Sequence, residues 1–97
     1  QETMERLAGR PVYLTVDLDV LDPSFFPGTG TPEPGGVTFL DLLGAVRCVL
    51  RHDPIVGCDM VELSPHYDAS GASTAAALKL LREMLLAWEA PQIRAAI

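Results

Sequence analysis

Two short apolar segments, Val12–Val16 (VYLTV) and Ile55–Leu63 (IVGCDMVEL), each precede a helical stretch, and this order admits few folds. Both are rich in β-branched residues. The first carries apolar side chains on both pleat faces, as parallel strands do when helices cover both sides. A helix between two strands is the crossover that parallel pairing requires. Ahead of the first strand, residues 2–8 read as the tail of a helix, with Gly9 just past its end and Pro11 where a helix cannot continue. Thr38 can cap a second helix that carries Asp41 in its first turn and runs to about Arg51. Asp41, Gly44, Arg47 and Arg51 form one narrow polar stripe on it, and Leu40, Leu43, Val46, Val49 and Leu50 are expected to face inward. A third helix is expected over about 72–89, apolar nearly all round, with Lys79, Arg82, Glu83 and Glu89 wet. The fold class is therefore α/β in βαβα order. Two strands cannot cover themselves, so more sheet is expected than these 97 residues contain.

Residues 23–36 (PSFFPGTGTPEPGG) break every periodicity. They hold four of the eight prolines and four of the eight glycines, which makes a stiff, shaped loop and not a flexible linker. Loops of this length inside α/β units tend to be functional. A second loop, 64–71, follows the second strand. Ligands of open α/β sheets collect beyond the C-terminal ends of the strands. The chain places Asp17, Asp19 and Asp22 beyond the first strand and Glu62 at the end of the second. If extended backbone continues through Leu18, Asp17 and Asp19 point to one side with Cα atoms about 7 Å apart. Two converging carboxylates repel, and a divalent cation relieves the repulsion. A strand-end turn cap is the other reading of the same residues. Asp22-Pro23 is a turn-initiating pair and reads as structural. An EF-hand loop opening at Asp17 is excluded, because it needs Gly and Glu where the chain has Asp22 and Gly28.

Seven basic residues against 13 acidic ones give a net charge of −6, which argues against nucleic acid and anionic lipid as partners and suits a cationic small molecule. No apolar run approaches the roughly 20 residues of a membrane span. No secretory leader is evident, and a start at Gln1 is expected of the later part of a longer product. Cys48 and Cys58 lie in apolar surroundings and read as core residues of a reducing, cytoplasmic setting. His52 ends the second helix, where a positive charge suits the dipole.

A longer pattern is more specific than any single residue. Thr15-Val16-Asp17-Leu18-Asp19, Pro23, Pro27-Gly28 and Gly36 together resemble the aspartate signature of the ureohydrolase family, the arginase and agmatinase superfamily. Asp59-Met60-Val61-Glu62-Leu63-Ser64-Pro65 resembles the family's C-terminal block. Tyr67-Asp68 resembles the agmatinase branch more than the arginase branch, which tends to have Asn before the proline. The resemblance covers roughly residues 12–88 and implies the C-terminal βαβα part of a parallel-sheet, three-layer α/β/α arginase-like fold. It implies that Asp17 bridges two Mn²⁺ ions, that Asp19 binds one of them, and that both act in catalysis. Glu62 would pair with a substrate guanidinium, with the Thr31 hydroxyl near that group. His66, in the loop after Glu62, is a further candidate for substrate contact.

The implied reaction is attack of a metal-bridging hydroxide on the carbon of a linear, cationic guanidino compound, agmatine above all, releasing urea and an amine. The implied setting is a cytoplasmic homo-oligomer, trimer or hexamer, in polyamine biosynthesis. The family's other metal ligands come from blocks resembling GGDH and DAHxD, and these residues contain neither. Residues 1–97 are thus expected to be the C-terminal fragment of a single ureohydrolase domain, inactive alone. Two rivals remain. Haloacid-dehalogenase phosphatases also place DxD after an apolar strand, though usually with Thr where Leu21 stands. A non-catalytic remnant that folds only weakly or through association is the other.

Overall fold

The computed structural model describes residues 2–52 and 54–96. The elements are α1 (Glu2–Leu7), β1 (Val12–Asp17), α2 (Phe39–His52), β2 (Ile55–Val61) and α3 (Ala72–Ala96), with 3₁₀ turns at Leu18–Val20 and Pro65–Tyr67. β1 and β2 pair in parallel, with Thr15 opposite Asp59 and Asp17 opposite Val61. This is the expected βαβα order. The Asp41 N–H donates to Thr38 Oγ1 at 3.1 Å, so Thr38 caps α2 as expected. Gly9 follows α1 with φ 76°, the left-handed stop that a side chain would oppose. His52 closes α2 against the Cys48 carbonyl, 2.8 Å from its Nδ1.

The core lies between the sheet and the two long helices. Val16 and Ile55 from the strands join Leu43, Val46 and Leu50 of α2 and Leu80 and Met84 of α3 in one buried cluster. The Trp88 indole N–H donates to the Ile55 carbonyl at 3.0 Å and pins α3 to the start of β2. Loop 23–36 is closed at its base by a parallel bridge between Leu21 and Val37. The Asp22 carboxylate accepts the N–H groups of Ser24, Gly35 and Gly36 at 2.9, 2.9 and 3.2 Å, tying both ends of the loop together. Phe26, 0% exposed, plugs the loop into the core. The segment is shaped, as its prolines predict.

Several expectations need correction. β1 is not covered on both faces: Val16 is buried, but Tyr13, Thr15 and Asp17 are exposed, because α2 and α3 both pack on the opposite face. Leu40 is 74% exposed instead of inward: it shares the face of Leu43, one turn on, but at the start of the helix nothing among the described residues covers it. Glu83 is not wet. It is buried, and its carboxylate pairs with Arg47 of α2 and, at 3.0 Å, with Lys79. Pairing is what permits a charge to sit there. Cys48 is exposed and Cys58 half-buried, so Cys48 is no core residue, and neither forms a disulfide. α3 runs past 89 to Ala96 and through Pro91, which removes one hydrogen bond without ending the helix here. β2 ends at Val61, two residues early, where the chain turns.

These contacts set an expected acid response. The Ser24 hydroxyl and the surrounding N–H groups hold the Asp22 carboxyl down at about 2. The hydroxyls of Ser70 and Ser73 do the same for Asp68, to about 2, and Arg47 then Lys79 for Glu83, to about 2. Their ordinary values are 3.8, 3.8 and 4.5. In that window the unfolded chain binds more protons than the folded one, so stability rises with pH. It is fully present above about pH 5 and lost as pH falls toward about 2. Denaturant midpoints measured between those limits should fall steadily, and a flat profile would refute these pairings.

Candidate active site

Five residues were expected to meet beyond the strand ends. Asp17 ends β1 and faces solvent. Leu18–Val20 is not extended, as the 7 Å estimate required, but coils into a 3₁₀ turn that Asp17 caps. Asp17 Oδ1 accepts the Asp19 N–H at 3.1 Å. The turn, and not the strand pleat, therefore sets the second carboxylate beside the first. Partial desolvation at the strand end, and after it the Asp19 carboxylate, raise the Asp17 carboxyl above its ordinary range, while the Asp19 N–H works against this. Asp19 Oδ2 accepts the Thr31 hydroxyl at 3.0 Å, so the 23–36 loop folds back over the turn. The two carboxyl groups also meet side chain to side chain.

Glu62 follows Val61, the partner of Asp17 across the sheet, so it emerges beside the two aspartates. Its φ is 78°, the one positive value among the described non-glycine residues. Such strain persists only where surrounding structure enforces it, and it clusters at binding sites. Among the described residues the Glu62 carboxylate has no hydrogen-bond or ion-pair partner. His66 lies in the 3₁₀ turn Pro65–Tyr67, exposed, with its ring centroid 4.1 Å from that of Tyr67. The structure thus brings Asp17, Asp19 and Thr31 together and sets Glu62 on the neighbouring strand end, with His66 in direct contact with none of them.

Other residues matter that the sequence did not single out. Asp59 accepts the hydroxyls of Thr15 at 2.5 Å and Tyr13 at 3.1 Å across the sheet, fixing the register that sets Asp17 against Val61. Asp68 holds Ser70 and Ser73, and Ser73 in turn meets Gly28. The signal was present: Asp22-Pro23-Ser24 and Asp68-Ala69-Ser70 share an Asp-x-Ser turn pattern. The Thr29 hydroxyl, between two glycines of the loop, is buried without a partner among the described residues.

Two adjoining carboxylates suit a hard or borderline divalent ion such as Mn²⁺. Among the described residues, no group of three or more His, Cys, Asp or Glu side chains could hold an ion. Asp17 and Asp19 therefore fit part of a ligand set.

The sequence profile of the arginase family matches residues 1–87. An agmatinase of Halalkalibacterium halodurans is 49% identical over 89 residues, 91% of this chain and 31% of that protein. The solved structure of a candidate agmatinase from Clostridium difficile has TM-score 0.83 and 51% identity, covering 90% of this chain and 32% of that one. That of proclavaminate amidino hydrolase from Streptomyces clavuligerus has TM-score 0.83 and 41% identity, covering 90% and 29%. The chain spans about a third of the length of the relatives it matches.

Proposed function

This chain belongs to the arginase family and has its α/β fold, and from that premise we propose that it is the C-terminal part of a ureohydrolase domain that releases urea from a linear guanidino compound. One observation carries the reading: two adjoining aspartates stand at one strand end and, among the described residues, a glutamate without a hydrogen-bond partner at the next. Family membership also displaces the phosphatase reading of the two aspartates.

Asp17 and Asp19 would hold part of a two-ion manganese site, whose ions, when bound, supply the Lewis acidity that makes water nucleophilic near neutral pH. Thr31 donates to Asp19 Oδ2 and so fixes which oxygen of Asp19 remains to bind. Glu62 would accept two parallel N–H bonds from the planar guanidinium and hold its carbon toward the aspartates. His66 and Tyr67, exposed on the following turn, would meet the far end of the substrate. Agmatine, the substrate named by the Halalkalibacterium relative, is the first candidate. It carries a second cationic group, which suits a chain of net charge −6.

The remaining sheet, the other ligands and any trimeric or hexameric contacts would come from the rest of the domain. An apolar groove of about 310 Å³ along β1, lined by Leu14, Val16, Val20, Leu42, Val46 and Val49, supports this. It lies beside Thr15 and Asp17, where another strand could pack. No helix among the described residues is long and apolar enough to cross a membrane.

The test is urea release by the full-length protein from agmatine, arginine and 4-guanidinobutyrate, with Mn²⁺ and after chelation. Mn²⁺-dependent urea from at least one of them is expected. No urea from any would overturn the reading.

A further inference from the structure

Gly28 is bonded on both sides by residues outside its own loop. Its N–H donates to Ser73 Oγ at 2.8 Å, and its carbonyl accepts the Ser64 N–H at 2.7 Å. Ser64 lies two residues after Glu62, and Thr31 three residues after Gly28. The peptide at Gly28 is thus the joint between the loop that orients Asp19 and the loop that presents Glu62.

The outer half of the joint is built for rigidity. Ser73 is 0% exposed. Its hydroxyl donates to Asp68 Oδ2 at 2.6 Å, and its N–H donates to the same oxygen at 2.8 Å. Asp68 Oδ1 takes the Ser70 N–H and hydroxyl at 3.1 and 2.6 Å. A hydroxyl committed to a carboxylate cannot rotate away, and it is a better acceptor for the next N–H. Contact is close as well: a Cβ at Gly28 would lie 2.7 Å from Ser73 Cβ, so a side chain there would force the two apart.

We propose that Asp68 and Ser73 are positioning residues, acting through Gly28 to hold Glu62 at a fixed place relative to Asp19 and Thr31. The proposal rests on the guanidino-hydrolase reading above. Neither residue touches substrate or ions. Glu62 needs such support because its left-handed backbone is held by its surroundings and its side chain by no partner. Loosening the joint should misplace the guanidinium partner and leave the two aspartates with their turn intact.

The experiment uses Ser73→Ala and Asp68→Asn in the full-length protein with Mn²⁺, assayed with the guanidino compound it turns over best. Ser73→Ala leaves the Gly28 N–H buried and unpaired, and the resulting displacement of Glu62 should raise KM roughly tenfold. Metal content should not change, and kcat per bound metal should stay within about twofold. Gly28→Ala keeps every hydrogen-bonding group but wedges the joint open, and it should give the same split. An unchanged KM with only less active protein would mean that the residues merely support the fold, and would overturn the proposal. If the wild type releases no urea, the guanidino reading fails separately. Backbone amide exchange then decides the joint: Ser73→Ala should speed exchange at Ser64 as well as at Gly28, and unchanged Ser64 protection would overturn it.

Discussion

Asp17→Asn in the full-length protein is expected to empty at least one metal position and to lower kcat in step with metal content. The substitution removes a negative charge from the end of β1, where one oxygen already accepts the Asp19 N–H. The amide can still cap the 3₁₀ turn, so the fold should survive and the effect should fall on the ions. Losing an outer-shell partner of a metal ligand typically lowers affinity or activity 10–100-fold, so losing a residue proposed to hold the ions directly should cost more than about 100-fold. Metal analysis beside kinetics checks it. A variant that keeps full metal and full activity would remove the two-aspartate site, and with it the case for a metal-dependent hydrolase.

Glu62→Gln should do the opposite to the metal and nearly as much to the rate. Glu62 leaves β2 beside Asp17 but has no contact with either aspartate among the described residues. Its replacement should leave metal content unchanged. The lost charge-assisted pair to the guanidinium is worth about 2–4 kcal/mol, or some 30- to 1000-fold in kcat/KM. If Glu62→Gln loses Mn²⁺ as readily as Asp17→Asn, Glu62 is a ligand and the roles are wrongly divided.

What the chain disclosed in advance was local. Val12–Val16 and Ile55–Leu63 announce themselves by β-branched residues, though the second strand stops at Val61, the α2 start by Thr38, and the shaped loop by its prolines. The candidate residues came from the resemblance to a family's motifs, and the structure joins Asp17, Asp19 and Thr31 at one strand end, with Glu62 at the next. Geometry was less legible. Whether Asp17 and Asp19 align along a pleat or around a turn depends on one hydrogen bond from the Asp19 N–H, and spacing alone does not distinguish the two. The burial of Glu83 depends on Arg47, 36 residues away on another helix. The Gly28–Ser73 joint spans 45 residues, and nothing at either position signals the other. The alternation of β1 likewise follows from where α2 and α3 pack, which a run of apolar residues leaves open.

The positive φ of Glu62 places thermodynamic and functional selection at odds on a single residue. Glycine or asparagine would relax that backbone, by about 1 kcal/mol. A search for thermostable variants that read only melting temperature would therefore favour Glu62→Asn or Glu62→Gly, and each would discard the carboxylate proposed to meet the guanidinium. Glutamate at this position makes the domain slightly less stable than its own architecture allows. Libraries ranked by stability should accumulate inactive sequences here first.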